Sequence, residues 1–190
     1  MTDIKVQKLI YHITSTDNLT GILEHGLLPR KDLNDFDDVA DHAILKGREA
    51  HRLETYVPFH FFAANPFDGR VHEEYPDSDF VLISVRRAVA EARNWQIIPR
   101  HPLAREGIRI LSYAEGMETI DWEAMNLRDY HDDNSKSVCM AECLSPKIVP
   151  VADFFKLFVS NDRVKQNVEM LLRDRRLQID VVVNRGMFRR

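Results

Sequence analysis

The run Phe80-Val81-Leu82-Ile83-Ser84-Val85 is apolar at every position but one. A stretch this short, bounded by polar residues and rich in β-branched side chains, reads as a strand with both faces covered. A covered strand demands a sheet. Further strands are read at residues 6–14 (VQKLIYHIT), in the first half of 55–67 (TYVPFHFFAANPF), and at 147–151 (KIVPV), 156–160 (KLFVS) and 179–184 (IDVVVN). Pro58 has no backbone N–H, so its strand is expected at an edge or a bulge.

Helices are read between these strands. Residues 15–26 (STDNLTGILEHG) have Thr16 or Asp17 to cap the start, Leu19, Ile22 and Leu23 at helical spacing, and Gly26 where a left-handed C-terminal residue belongs. Residues 85–92 begin a short helix, 118–130 (ETIDWEAMNLRDY) are helical in character, and 161–175 are amphipathic with Val164, Val168 and Leu171 on one face. The polar segment from residue 33 to 54, acidic around Asp35, Asp37 and Asp38, is expected to be a partly helical surface loop, too long to be idle. Strands dispersed among helices without βαβ alternation give an α+β class.

The chain has 190 residues, 44% of them hydrophobic and 29% charged, which is the size and composition of one soluble domain spanning 1–190. A net charge of −4 argues against a broad basic surface for duplex nucleic acid, although Arg86, Arg87, Arg100, Arg105, Arg109, Arg173, Arg175 and Arg176 leave room for a local basic groove. Cys139 and Cys143 stand four apart, which suits one helical face and reduced thiols better than a disulfide or a zinc site. No metal is expected. No apolar leader and no run of roughly 18 apolar residues points to a membrane, so the expected location is the cytoplasm. Neither GxGxxG nor GxxxxGK[ST] occurs.

Three clusters carry chemistry. Tyr11-His12-Ile13-Thr14, followed by Asp17-Asn18, ends a strand in polar groups just before a helix, a junction that offers N–H donors to a nucleotide or is simply a capped helix with one exposed histidine. Residues 56–62 (YVPFHFF) are aromatic on both strand faces, for core packing or for stacking a nucleobase. Glu142 is embedded among Val138, Cys139, Met140, Ala141, Cys143 and Leu144. A carboxylate in such company is either a partnered structural acid or a functional one.

Taken in order, YHITSTDNLTGILEHGLL, YVPFHF and KSVCMAECLSPKIVP resemble the signature blocks of DarT, a family of DNA-modifying ADP-ribosyltransferase toxins, over about residues 9–150. The resemblance implies an ADP-ribosyltransferase-like split β-sheet with surrounding helices and an NAD-binding cleft. It implies transfer of ADP-ribose from NAD⁺ to a nucleobase, thymine or guanine, of single-stranded DNA, with nicotinamide released. Glu142 maps onto the catalytic glutamate, and Arg48, or as second choice Arg52, onto a catalytic arginine. His12, Thr14, Asn18, Tyr56 and His101 are expected to hold NAD⁺, and Phe59, Arg52 and Arg100 to meet the DNA. An antitoxin that removes ADP-ribose, of macrodomain or other type, is the implied partner. Transfer to RNA or protein, or a non-catalytic nucleotide-binding module, are the rival readings. The chain departs from the family in having ANPFDGR after the aromatic block, where a Pro-Met-aromatic pattern is usual, and a less basic stretch before Ala141-Glu142.

Overall fold

Strand β1, Leu9–Ser15, is the central member of a seven-stranded sheet. The others are β2 (Val57–His60), β3 (Phe80–Arg86), β4 (Gln96–Ile98), β5 (Glu142–Ser145), β6 (Phe154–Val159) and β7 (Asp180–Val183), in the order β4-β5-β2-β1-β3-β6-β7. All neighbours are antiparallel except β6 and β7. The computed structural model describes residues 3–33, 51–104 and 107–188. Strand β3 is buried at all but its last position and pairs along the whole of β1, from Leu9↔Arg86 to Ser15↔Phe80.

On its other side β1 meets β2 at a single register pair, Tyr11↔His60. The sheet is therefore split between β1 and β2. Pro58 lies in this interior strand and not at an edge, contrary to the expectation from its missing N–H. The reason is the split itself: the Pro58 carbonyl faces β1 and accepts a hydrogen bond from His12 Nδ1 at 2.8 Å. On the β1 side no ladder N–H is needed at that residue.

The closed end of the split is held by a buried cation. Arg87 follows β3 and is 6% exposed. Its guanidinium donates to three carbonyls: Nε to Leu9 at the start of β1 (3.2 Å), Nη1 to Lys5 (3.0 Å), and Nη2 to Phe61 just past β2 (3.1 Å). The rings of Phe61 and Trp122 lie against it. Among the described residues no carboxylate forms an ion pair with Arg87, so backbone dipoles solvate it.

Seven helices flank the sheet among the described residues: α1 (Leu19–His25), α2 (Pro66–Glu74), α3 (Arg87–Ala92), α4 (Tyr113–Thr119), α5 (Trp122–Leu127), α6 (Asp133–Val138) and α7 (Asp162–Asp174). Gly26 ends α1 at φ 81, and a Cβ there would stand 2.6 Å from the Val149 carbonyl. Residues 147–151 form no strand; Val149 makes only an isolated bridge to Leu27. The helical stretch at 118–130 is two helices, because the side chain of Asp121 caps α5 and interrupts the run. On α7 the buried stripe is Val164, Val168 and Leu172, with Leu171 turned half outward. The cysteines do not share a helix: Cys139 closes α6 and Cys143 lies in β5, both as buried free thiols.

The main core fills one side of the sheet, with Ile10, Phe59, Phe61, Trp95, Ile97, Leu157 and Val168 among its members. Two smaller clusters cover the rest, one around Ile13, Val71, Leu82 and Phe188 and one around Leu53, Ile98 and Leu144. At the edge of the first, Asn65 caps α2 by accepting from Phe67 and Asp68 N–H, and Asp68 Oδ2 accepts from Ala64 N–H at 2.8 Å. Asp68 is 2% exposed, and burial pushes its carboxyl up to about 7.

Two outcomes follow from these buried groups. Arg87→Met leaves three carbonyls without a donor and should lower the unfolding free energy by about 3 kcal/mol or more in chemical denaturation. Asp68 is protonated in the folded chain up to about pH 7 and ionised in the unfolded chain above about 3.8, so unfolding releases a proton in that window and stability falls as pH rises through it. Asp68→Asn mimics the protonated acid. It should match the parent near pH 4 and exceed it by about 2–4 kcal/mol at pH 8, which melts followed across that range will show.

Candidate active site at the split of the sheet

Residues in direct register across antiparallel strands present their side chains to the same face. One such row crosses the split: Ile98 on β4, Glu142 on β5, His60 on β2 and Tyr11 on β1. Glu142 is the first residue of β5 and is 5% exposed. Its position is enforced from both sides, since β5 pairs with β2 and β4 at once. His60 Nδ1 donates to the carbonyl of Ala141, the residue before Glu142, at 3.3 Å, and its ring stacks on Phe67 with centroids 5.4 Å apart.

His12 sits one residue along β1 from Tyr11. Part of its surface stays accessible, yet the ring is packed tightly enough that burial, with the nearby His60 assisting, pushes its pKa down to about 4 against the opposing bond to Pro58. The imidazole is thus neutral at physiological pH. A carbonyl can only accept, so the proton is on Nδ1 and Nε2 carries the lone pair. Asn18 Nδ2 donates to Thr14 Oγ1 at 3.1 Å, so the end of β1 and the turn before α1 are one polar unit, as the sequence suggested. Tyr56 is half-buried against the Leu53, Ile98 and Leu144 cluster.

A cavity of about 1740 Å³ opens beside this row. Tyr11, Phe62, Phe67, His101, Arg128 and Met140 are among its lining residues, and Arg100 is another. His101 Nδ1 accepts from Leu103 N–H at 2.9 Å, which places the proton of the neutral ring on Nε2. Its backbone N–H donates to Ser137 O at 2.7 Å, tying this loop to the segment ahead of Glu142. Glu142, His12, Thr14 and Asn18 do not line this cavity; His12 and Thr14 are on β1 beside the split, Asn18 is in the turn after it, and Glu142 is on β5, across β2 from the split.

One expected residue is displaced. Phe59 is 0% exposed and packs in the main core, its ring 5.3 Å from Trp95 and 5.7 Å from His12. Strand alternation turns it to the face opposite His60 and Glu142, which removes it from a base-stacking role. Arg52 is exposed, with φ 57, at the start of the turn leading into β2, and Arg48 lies outside the described residues. Sequence reasoning passed over Tyr11 and His60 as site residues. The signal was the period of two in β2, which unbroken aromatic character concealed.

Alternation along β1 turns His12 to the face of Phe59, while Glu142 shares the face of His60 and Tyr11, so the structure does not set the imidazole and the carboxylate side by side on one face. The Glu142 carboxylate and the Nε2 lone pair of His12 can each accept from a hydroxyl, and Asn18 supplies an amide. Among the described residues no three His, Cys, Asp or Glu side chains gather as metal ligands, and no helix is long and apolar enough to cross a membrane.

Comparison with known proteins identifies the family and the fold. A family model described as "ssDNA thymidine ADP-ribosyltransferase, DarT" matches residues 11–189. A DNA ADP-ribosyl transferase of Thermus aquaticus is 26% identical over 183 residues, covering 88% of this chain and 82% of that protein. Two solved structures of Thermus sp. 2.9 DarT share the fold. The complex with ADP-ribosylated ssDNA has a TM-score of 0.85 at 24% identity, with 96% of each chain covered. The complex with NAD⁺ has a TM-score of 0.80 at 23% identity, with 96% of this chain and 98% of that one covered. The α+β, ADP-ribosyltransferase-like fold is thereby established, and the chain belongs to the DarT family of single-stranded-DNA ADP-ribosyltransferases.

Proposed function

We propose that this chain transfers ADP-ribose from NAD⁺ to thymine in single-stranded DNA, releasing nicotinamide, with Glu142 as the catalytic carboxylate. The observation that carries the reading is the Glu142–His60–Tyr11 row, which sets a buried carboxylate in fixed register one strand from the split of the sheet. The match to a thymidine-specific family model favours thymine over guanine.

Breaking the bond between C1″ of the ribose and the nicotinamide nitrogen sends the electron pair to nicotinamide and leaves an oxocarbenium-like sugar. A carboxylate hydrogen-bonded to the 2″-hydroxyl gains strength as that positive charge develops, so Glu142 stabilises the transition state more than the bound substrate. In DNA, N1 of thymine is committed to the deoxyribose, which leaves N3 as the ring nitrogen that can attack C1″. The N3–C1″ bond forms as the N3 proton departs, and Glu142 or Arg48 organises that transfer by hydrogen bonding. Arg48 grips phosphate or base in this scheme, because a guanidinium rarely deprotonates.

His12, Thr14 and Asn18 hold the nicotinamide riboside end, with Tyr56 and His101 as further NAD⁺ contacts. Arg100 and Arg52 meet the DNA. The reaction as read uses NAD⁺ and no metal, takes place in the cytoplasm, and is opposed by an antitoxin that removes ADP-ribose.

Mass spectrometry of thymine-containing and thymine-free oligonucleotides incubated with protein and NAD⁺ tests the reading. One added ADP-ribosyl group on the thymine-containing single strand is expected, with far less on its duplex, where unstacking and unpairing cost a few kcal/mol. Modified protein or RNA alone would sink the substrate assignment, and no nicotinamide release under any condition would favour a non-catalytic module. Glu142→Ala should keep its melting temperature and NAD⁺ affinity near those of the parent while the modification rate falls by roughly 10²-fold or more. A destabilised but active variant would make Glu142 a structural acid.

A further inference from the structure

The chain carries net charge −4, yet the cavity beside the split is bordered by four cations, Arg70, Arg100, Arg128 and Lys136, against two carboxylates, Glu73 and Asp133. Within that wall, one stretch stands out. Arg128 ends α5 at φ 50, a left-handed conformation that glycine adopts freely and arginine does not. Backbone held in that region is often found where a side chain has work to do. The Arg128 guanidinium carbon lies 4.6 Å from the centroid of Phe62, another residue of the cavity wall. A cation packed on an aromatic ring in this way keeps its in-plane N–H groups for a ligand.

Two buried donors in this wall have no hydrogen-bond partner: Nε of Arg128 and Oγ of Ser137. An orphaned buried donor is costly, and two lining one cavity ask for an acceptor that enters it. Lys136, exposed at the same wall, adds a third cationic or donor group and leads outward to solvent. Ser137 and Met140 stand five and two residues ahead of Glu142, so the wall is continuous in chain with the carboxylate that addresses the sugar.

We propose that Arg128 and Ser137, with Lys136 at the rim, form a phosphodiester subsite that grips the DNA backbone next to the nucleotide being modified. The inference rests on the DNA-modifying reading above. A phosphodiester has two anionic oxygens, one for the forked donors of Arg128 and one for the Ser137 hydroxyl. The pyrophosphate of NAD⁺ has the same chemistry, but the cavity volume of about 1740 Å³ exceeds the roughly 300–1,000 Å³ of a pocket for one small molecule. An open path past an exposed lysine suits a continuing strand.

The test measures initial rates of ADP-ribosylation of a thymine-containing single-stranded oligonucleotide at several salt concentrations, for the parent, Arg128→Gln, Ser137→Ala and Lys136→Gln. For Arg128→Gln the KM for oligonucleotide should rise about tenfold, and the KM for NAD⁺ should stay within about twofold. The slope of log affinity against log salt should become shallower by about 0.7 for each lost phosphate contact. Ser137→Ala should raise the oligonucleotide KM without changing the slope, since a hydroxyl carries no charge. Lys136→Gln is an exposed change that keeps the test alive if Arg128→Gln folds poorly, and it should reproduce the shallower slope. Unchanged oligonucleotide KM and slope in both charge variants would overturn the proposal. So would a rise confined to the KM for NAD⁺, which would assign the subsite to the pyrophosphate. A parent protein that does not modify the oligonucleotide at all refutes the functional reading instead, so the two failures are distinguishable.

Discussion

The single pairing of Tyr11 with His60 is the constraint on which the site depends. Two neighbouring strands ordinarily zip along their length, because each buried N–H or carbonyl left unpaired is expensive. Here β1 and β2 part after one pair, and the opened groups are met in other ways. Pro58 has no N–H to satisfy, and its carbonyl takes the imidazole of His12. Arg87 pins the opposite end by joining Leu9 and Phe61. Its planar fork reaches three carbonyls at once, a task for which the single ammonium of a lysine is poorly shaped. The sheet is therefore closed at the Leu9 end and open toward Ser15, and a ligand can enter between its halves without breaking a ladder.

Much of this was legible from residues alone. The apolar run of β3, the strand-to-helix junction at Thr14 to Asn18 and the embedded Glu142 all depend on local pattern, and local pattern is what a sequence displays. The α+β class and the split sheet followed from dispersed strands and from the resemblance of three ordered blocks. Register did not. Which residue of β2 stands beside Glu142 depends on how β2 and β5 align, a non-local fact, and a block aromatic on both faces hides the alternation that would have favoured His60 over Phe59. Pro58 misled for a related reason, since an interior strand tolerates proline only where its neighbour has already turned away. The spacing of Cys139 and Cys143 looked helical because nothing in four residues announces that a helix ends and a strand begins between them.

The cavity wall was harder still to read. Arg128 and Ser137 lie nine residues apart in chain, at the end of one short helix and near the end of the next, and they become neighbours of Phe62 and His101 only through the packing of loops against the sheet. No periodicity links such positions. What marks them is visible only in three dimensions: a left-handed arginine, and two buried donors without a hydrogen-bond partner.

The distribution of charge around the candidate site suits the chemistry proposed for it. As nicotinamide leaves, positive charge builds on the ribose, and any cation close to that carbon raises the barrier. On the proposed reading the sheet answers that charge with acceptors. Glu142 offers a carboxylate, and burial keeps His12 neutral, with its pKa near 4 and a lone pair on Nε2. Had His12 stayed near its ordinary value, a fraction of molecules at pH 7 would carry a positive charge on the strand that borders the split. Cations are still needed, because the nucleic acid is a polyanion. They stand on the loops and short helices of the cavity wall, where their attraction for phosphate acts at a distance from the reacting carbon. A rigid sheet carrying the acceptors and a surrounding wall carrying the cations thus keep two opposing electrostatic demands apart.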